Sequence, residues 1–207
     1  MVYIFDFDGT LVDSMDAWAG LHAKQLSDAG IPVPENYAQI ITPIGNYKAA
    51  ELNISLGIPE TLESYLARVN KILLDAYAYE IPLKAHVQET LQTLYRNGHR
   101  LQVLTAASHP FLDPCLQRVG IWDLFENVWS IDDFGLTKDN PAIYQMAAQR
   151  LGVPITECIF ADDNITAILA AKSAGMRTIG IYDKSSASRK EEMLQSAERY
   201  IHDFSQI

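Results

Sequence analysis

Residues 2–14 read VYIFDFDGTLVDS. Val2 to Phe5 suit a buried strand, and the run lacks the polar alternation of a strand with one wet face, so it is expected centrally in a parallel sheet. Two carboxylates follow, Asp6 and Asp8, with one residue between them. Such a pair can be a strand end whose acids face solvent, and the rest of the chain must distinguish that from a site.

From Pro82 onward, short apolar strands alternate with helices. LQVLT, NVWSI, ECIFA and MRTIGIY are separated by AHVQETLQTLYRNG, PFLDPCLQRVG, PAIYQMAAQRLG and ITAILAAKSAG. Such alternation implies a parallel sheet covered by helices on both faces. Between Met15 and Tyr79 the pattern is helical only. SMDAWAGLHAKQLSDAG stops at Gly30, NYKAAELNISLG stops at Gly57, and PETLESYLARVNKILLDAYAY runs on after Pro59. The expected fold is α/β: a Rossmann-like, three-layer parallel-sheet core from residues 1–14 and 82–207, with an all-helical domain, 15–81, inserted after the first strand. Hinges are expected near Asp13-Ser14 and Glu80-Ile81-Pro82.

The 207 residues are 48% hydrophobic, enough for a core without staples. Cys115 and Cys158 each sit in an apolar stretch and read as buried thiols in a reducing compartment. Strand-like residues begin at Val2, and no apolar run approaches the length of a membrane span, so a cytoplasmic protein is expected. The net charge of -10 argues against nucleic-acid and anionic-membrane partners, which demand clustered Lys and Arg. An anionic substrate would need a cation to help hold it.

In open parallel sheets ligands bind beyond the carboxyl ends of the strands. The first strand ends in Asp6 and Asp8, LQVL in Thr105, and CIFA in Asp162 and Asp163, while Lys138 follows NVWSI by seven residues. Each has a plain structural reading. Thr105 can end a strand, Lys138 can be a solvated loop lysine before Asn140-Pro141, and Asp162 and Asp163 can cap a helix, although Asn164 suits that task better. Independent surface residues, however, have no reason to occupy successive strand ends along one crevice.

DFDGTLVDS at 6–14, LTAAS at 104–108, KDNPAIY at 138–144 and IFADDN at 159–164 resemble the haloacid dehalogenase superfamily, specifically members of the phosphoglycolate phosphatase and beta-phosphoglucomutase type with a helical cap after the first strand. LFENVWS and AAKSAGMRTIGIY match further, while the helical segment matches only in character, length and place. The resemblance implies a phosphomonoester hydrolase with Asp6 as nucleophile, forming an aspartyl-phosphate. It implies Mg²⁺ held by Asp6, Asp163 and the backbone carbonyl of Asp8, with Asp162 either a further ligand or a neighbour supporting the ligands. Lys138 adds a cation, and Thr105, Ala106 and backbone N–H groups at Gly9 and Thr10 hold phosphoryl oxygens. Side chains two apart in an extended segment share a face, so Asp8 can protonate the leaving-group oxygen and then activate water. Gly9 permits the tight turn, and Thr10 is expected to orient Asp8.

Two departures stand out. Asp139 occupies the position after the motif lysine where relatives commonly carry Pro, and Ala167 stands where some carry another acid. Lys48 resembles the Schiff-base lysine of phosphonate-cleaving relatives only superficially, because Asp8 favours ester chemistry. Substrate contacts in the cap are sought in ITPIGNYK, at Gly45, Asn46, Tyr47 and Lys48, and at Trp18 and His22, which can equally be internal packing. The partner expected is a small phosphorylated metabolite such as a sugar phosphate or phosphoglycolate. A phosphomutase and a non-catalytic binding protein on the same fold stay open, and a single sequence leaves the oligomeric state unspecified.

Overall fold

A computed structural model describes residues 1–41 and 44–207; Thr42 and Pro43, part of the ITPIGNYK stretch, lie outside the described residues. The chain divides into two compact units, Met1–Asp13 with Pro82–Ile207, and Ser14–Ile81. The second holds α1 (Met15–Asp28), α2 (Tyr37–Ile41), α3 (Gly45–Ser55) and α4 (Leu62–Tyr79). The first holds α5 (Val87–Arg96), α6 (His109–Arg118), α7 (Ala142–Leu151), α8 (Ile165–Ala174) and α9 (Lys190–Ser196), with six strands: β1 (Val2–Phe5), β2 (Arg100–Thr105), β3 (Asn127–Ser130), β4 (Cys158–Asp162), β5 (Arg177–Ile181) and β6 (Arg199–Ile201).

The strands form one parallel sheet in the order β3-β2-β1-β4-β5-β6, so the chain winds outward from β1 in both directions and reverses between β1 and β4. β4 is buried throughout and β2 at all but its first residue, whereas edge strand β6 is partly open. Unbroken apolar runs belong to strands covered on both faces. Along β1 the side chains alternate. Val2 and Ile4 join Leu104, Cys158 and Phe160 in a core shared with Ile143, Tyr144 and Ala147 of α7 and Ile168 and Ala171 of α8. Tyr3 and Phe5 face the other way, Phe5 lying 5.8 Å from Phe204 and Tyr3 5.4 Å from His99. Thr90 of α5 donates its hydroxyl to the Phe204 carbonyl at 3.0 Å, closing the second layer.

The expected parallel sheet is thus present. β6, α9 and α2 were not anticipated. β6 is three residues at an edge and α2 five, both too short for a hydrophobic period to register.

In the helical unit, α4 buries Tyr65, Val69, Leu73 and Tyr77, four residues apart along one stripe, and Thr61 caps it by accepting from the Ser64 N–H at 3.2 Å. A polar chain runs through the interior. His22 is fully buried; its Nε2 lies 3.0 Å from Asn46 Oδ1 and its Nδ1 3.2 Å from the Tyr65 hydroxyl. The Tyr65 oxygen accepts from Asn53 Nδ2 at 2.6 Å, and Tyr37 donates to Asn53 Oδ1. Only a neutral imidazole with its proton on Nε2 satisfies this chain. Burial, partly offset by the Asn46 carbonyl, accordingly pushes the His22 pKa down to about 4.

The folded pKa lies below the unfolded value of about 6.5, so the unfolded chain binds the extra proton between them. Stability from the neutral ring is complete above pH 6.5 and lost as pH falls toward 4. We expect the stability advantage of wild type over His22→Gln, measured by urea titration, to shrink by about 3 kcal/mol between pH 7 and pH 4. A pH-independent difference would rule out a neutral buried His22.

Candidate active site

Across β1 and β4 the register pairs Val2 with Cys158 and Ile4 with Phe160. The next pair along that apolar row is Asp6 and Asp162, and the Asp6 N–H donates to the Ala161 carbonyl at 2.9 Å. The carboxylates therefore stand where the core ends, at the reversal of strand order where open sheets leave a crevice. Beyond the strand end Asp6 and Phe7 are both buried, while Asp8 is half-buried.

Asp6, Asp162 and Asp163 are buried, and one oxygen of each lies within 4.8 Å of the others; among the described residues this is the cluster of acids able to hold a metal. Lys138 arrives from the segment between β3 and α7. Its ammonium donates to Asp6 Oδ1 at 2.5 Å and Asp162 Oδ2 at 2.8 Å. Burial alone would lower the Lys138 pKa, but Asp162 and Asp6 outweigh it and hold the group above its ordinary value, hence protonated. Burial, with Asp162, Asp6 and Asp183 nearby, lifts Asp163 well above the carboxylate range. The cluster thus sets three carboxyl groups against one ammonium, an excess of acid over base.

The turn after β1 winds around one oxygen. The Phe7 carbonyl accepts from the N–H groups of Thr10 at 3.3 Å, Leu11 at 2.8 Å and Val12 at 3.1 Å, while Gly9 N–H donates to Val12 at 3.1 Å. The backbone donors of Gly9 and Thr10 are thus engaged inside the turn, which presents a half-buried Asp8. Gly9 has φ +73°, and a Cβ there would lie 2.9 Å from the Asp163 carboxylate. Thr10, fully buried, has its hydroxyl 3.4 Å from Asp163 Oδ1 and accepts from Asp163 N–H at 3.2 Å, tying the turn to the acid pair.

At the tip of β2, buried Thr105 accepts the Ala107 N–H at 3.1 Å, and Ala106 is exposed beside it. Asn164 caps α8 by accepting from Thr166 N–H at 2.9 Å, while Asp162 Oδ1 accepts the Asn164 N–H at 2.7 Å. Asp139 is exposed and takes the Thr137 hydroxyl, so its carboxylate is turned to its own loop. Sequence reasoning gave no role to Tyr144. Its buried hydroxyl lies 2.7 Å from the Lys138 carbonyl and 3.1 Å from that of Ala167, so the phenol holds the lysine loop against α8. Its place in KDNPAIY was the only signal.

In the helical unit Gly45 opens α3, which puts Asn46, Tyr47 and Lys48 on a first helical turn. Tyr47 and Lys48 are exposed, whereas Asn46 uses its carbonyl on His22 and donates its amide to Asn70 at 2.7 Å. His22 and the partly buried Trp18, 5.0 Å apart, pack within the unit.

A family model described as haloacid dehalogenase-like hydrolase matches residues 3–181. The chain is 31% identical to a phosphoglycolate phosphatase of Salmonella paratyphi A, covering 86% of this chain and 79% of that protein, and 30% identical to one of Escherichia coli O157:H7 with the same coverage. A haloacid dehalogenase hydrolase structure from Entamoeba histolytica superposes with TM-score 0.81 at 24% identity over 100% of this chain and 94% of that one. CbbY from Rhodobacter sphaeroides, solved with phosphate, superposes at 0.78 and 20% over 99% and 95%. The sheet order, the strand-end acids and the match over most of its length define the class: the chain belongs to the haloacid dehalogenase-like hydrolases. No described helix is long and apolar enough to cross a membrane.

Gly9→Ala forces an L side chain into left-handed backbone, at about 1–2 kcal/mol, and drives a methyl into the Asp163 carboxylate. We expect a loss of at least that size in chemical denaturation and a larger proportional loss of activity. Unaltered activity would show that the turn does not set the acid geometry.

Proposed function

We propose that the protein is a Mg²⁺-dependent phosphatase that hydrolyses a small phosphomonoester, of the sugar phosphate or phosphoglycolate type, through an aspartyl-phosphate on Asp6. The observation that carries this reading is the cluster of Asp6, Asp162 and Asp163 with the Lys138 ammonium bound to the first two. The relatives named phosphoglycolate phosphatases support the substrate class. Two buried free thiols, Cys115 and Cys158, support work in the cytoplasm.

The donor set fits Mg²⁺: hard carboxyl oxygens, buried together, with more acid groups than the one ammonium balances. Asp6, Asp162 and Asp163 would hold the ion, with the Asp8 backbone carbonyl by analogy to the family. When bound, it would reduce the repulsion between carboxylate and phosphate dianion and orient the transferring group.

The remaining chemistry falls to the chain. An Asp6 oxygen attacks phosphorus as the bond to the leaving oxygen breaks, and Asp8, as the acid, gives that oxygen its proton. Asp8 then takes a proton from the water that attacks phosphorus, releasing inorganic phosphate and restoring Asp6. Lys138, held protonated, balances charge on Asp6 and the phosphoryl oxygens. The Thr105 hydroxyl and Ala106 N–H are assigned to those oxygens, while Gly9 and Thr10 shape the turn that carries Asp8. Residues 15–81 are assigned the part of a cap supplying specificity, with Tyr47 and Lys48 as its first candidates.

With a panel of small phosphomonoesters, wild type should release phosphate only with Mg²⁺ and not with chelator. Asp6→Asn should abolish turnover, and Asp8→Asn should lower it by about 10²-fold or more. Beryllium fluoride should be found bonded to Asp6; release that survives Asp6→Asn removes the nucleophile assignment. Asp163→Asn relieves crowding among the acids and should raise metal-free stability by about 1 kcal/mol. The same change should erase the rise in unfolding temperature that Mg²⁺ gives wild type. An undiminished rise would exclude Asp163 as a ligand.

A further inference from the structure

Lys84 lies just after the return from the helical unit, in a stretch without motif. Its ammonium donates to the Gly9 carbonyl at 2.7 Å, the Tyr182 carbonyl at 2.7 Å and Asp183 Oδ2 at 2.9 Å. All three donor hydrogens are matched, and the side chain is only 16% exposed, unlike a solvated surface lysine. Its backbone is tied as well. Lys84 N–H donates to Leu11 at 3.0 Å, Leu83 bridges Val12, and Asp13 N–H donates to Pro82 at 2.9 Å.

The acceptors come from the turn after β1 and from the loop that leaves β5. Asp183 is itself saturated, its Oδ1 accepting the N–H of Ser185 at 2.8 Å and its hydroxyl at 2.6 Å. Burial would raise the Asp183 pKa, but Ser185 and Lys84 hold it below the usual carboxylate range, so the ion pair is intact at neutral pH. Gly9 is the most easily rotated point of the turn that carries Asp8. On one side its missing Cβ leaves room for Asp163, and its carbonyl is pinned by Lys84.

We propose that Lys84 is a positioning residue for the reaction: by anchoring the Gly9 carbonyl to the end of β5 it sets the direction of the adjoining Asp8 carboxyl toward the leaving-group oxygen. This rests on the phosphatase reading above. Lys84 touches no reacting atom. It acts through Asp8, so its loss should be felt where Asp8 is needed as an acid and little elsewhere.

An alkyl phosphomonoester needs a proton on its leaving oxygen, whereas p-nitrophenyl phosphate releases a stabilised phenolate without one. With kcat/KM measured for both esters, Lys84→Met should lower the alkyl value about 10-fold more than the nitrophenyl value. Combined with Asp8→Asn it should add little to the loss on the alkyl ester, since coupled residues are not additive. Asp183→Asn removes the ion pair but leaves both carbonyl contacts, so it should cost stability while keeping the wild-type ratio of the two esters. Lys84→Arg keeps the charge, but its planar fork cannot direct three converging bonds from one nitrogen. It should shift the ratio in the same direction and carries the test if the methionine variant does not fold.

Equal losses on both esters in whichever variant folds, or full additivity with Asp8→Asn, overturn the role of Lys84 and reduce it to a structural ion pair. Failure of the wild type to hydrolyse either ester would instead remove the phosphatase reading, and the proposal with it.

Discussion

The Lys138 ammonium, shared between Asp6 and Asp162, is the contact on which the carboxyl edge of the sheet depends. Like charges about 4 Å apart repel by roughly 4 kcal/mol at the effective dielectric of a protein surface, and burial makes each isolated carboxylate dearer still. The three groups persist together because a cation stands against two of them and the third, Asp163, is held well above the usual carboxylate range. The segment between β3 and α7 delivers that cation, and Tyr144 fixes the delivery by bonding the backbone of Lys138 itself. The apolar row beneath, Val2 with Cys158 and Ile4 with Phe160, keeps water from the underside of the acids.

A second lysine is bonded to the same turn. Lys84 neutralises Asp183, one of the charges felt by Asp163, and binds the backbone at Gly9. Together the two ammonium groups frame the loop from Asp6 to Thr10, one through side-chain carboxylates and the other through a main-chain carbonyl. Neither is strongly solvated, so both hold direction as well as charge. The helical unit is built on another principle. Its interior carries a chain of neutral hydrogen bonds, from Tyr37 through Asn53 and Tyr65 to His22 and Asn46, which closes only for one tautomer of one imidazole.

Much of the core was legible because its signals are local. Apolar runs of four to six residues between helical periods announced β1 to β5, and acids or hydroxyls at their ends marked the candidate edge. The short β6 and α2 carried no such period. Around the site, Asp6, Asp162 and Asp163 were readable from the strand ends and Lys138 from the segment that follows β3, whereas Thr10 was expected to serve Asp8 and is bonded to Asp163. Asn46 looked like an outward polar group from its neighbours in sequence, yet its amide is committed to His22 and Asn70.

The sequence by itself determined the order and kind of the elements and which strand ends bear charge, because periodicity, turn residues and burial preference act over a few neighbouring positions. Only the tertiary structure decided which charges touch. Lys84 meets partners at positions 9, 182 and 183, and Lys138 at 6 and 162, once the sheet has brought β1, β4 and β5 side by side. Hydrogen bonds reach about 3 Å and require direction; residues remote in the chain acquire such partners only when the packed core has set their positions.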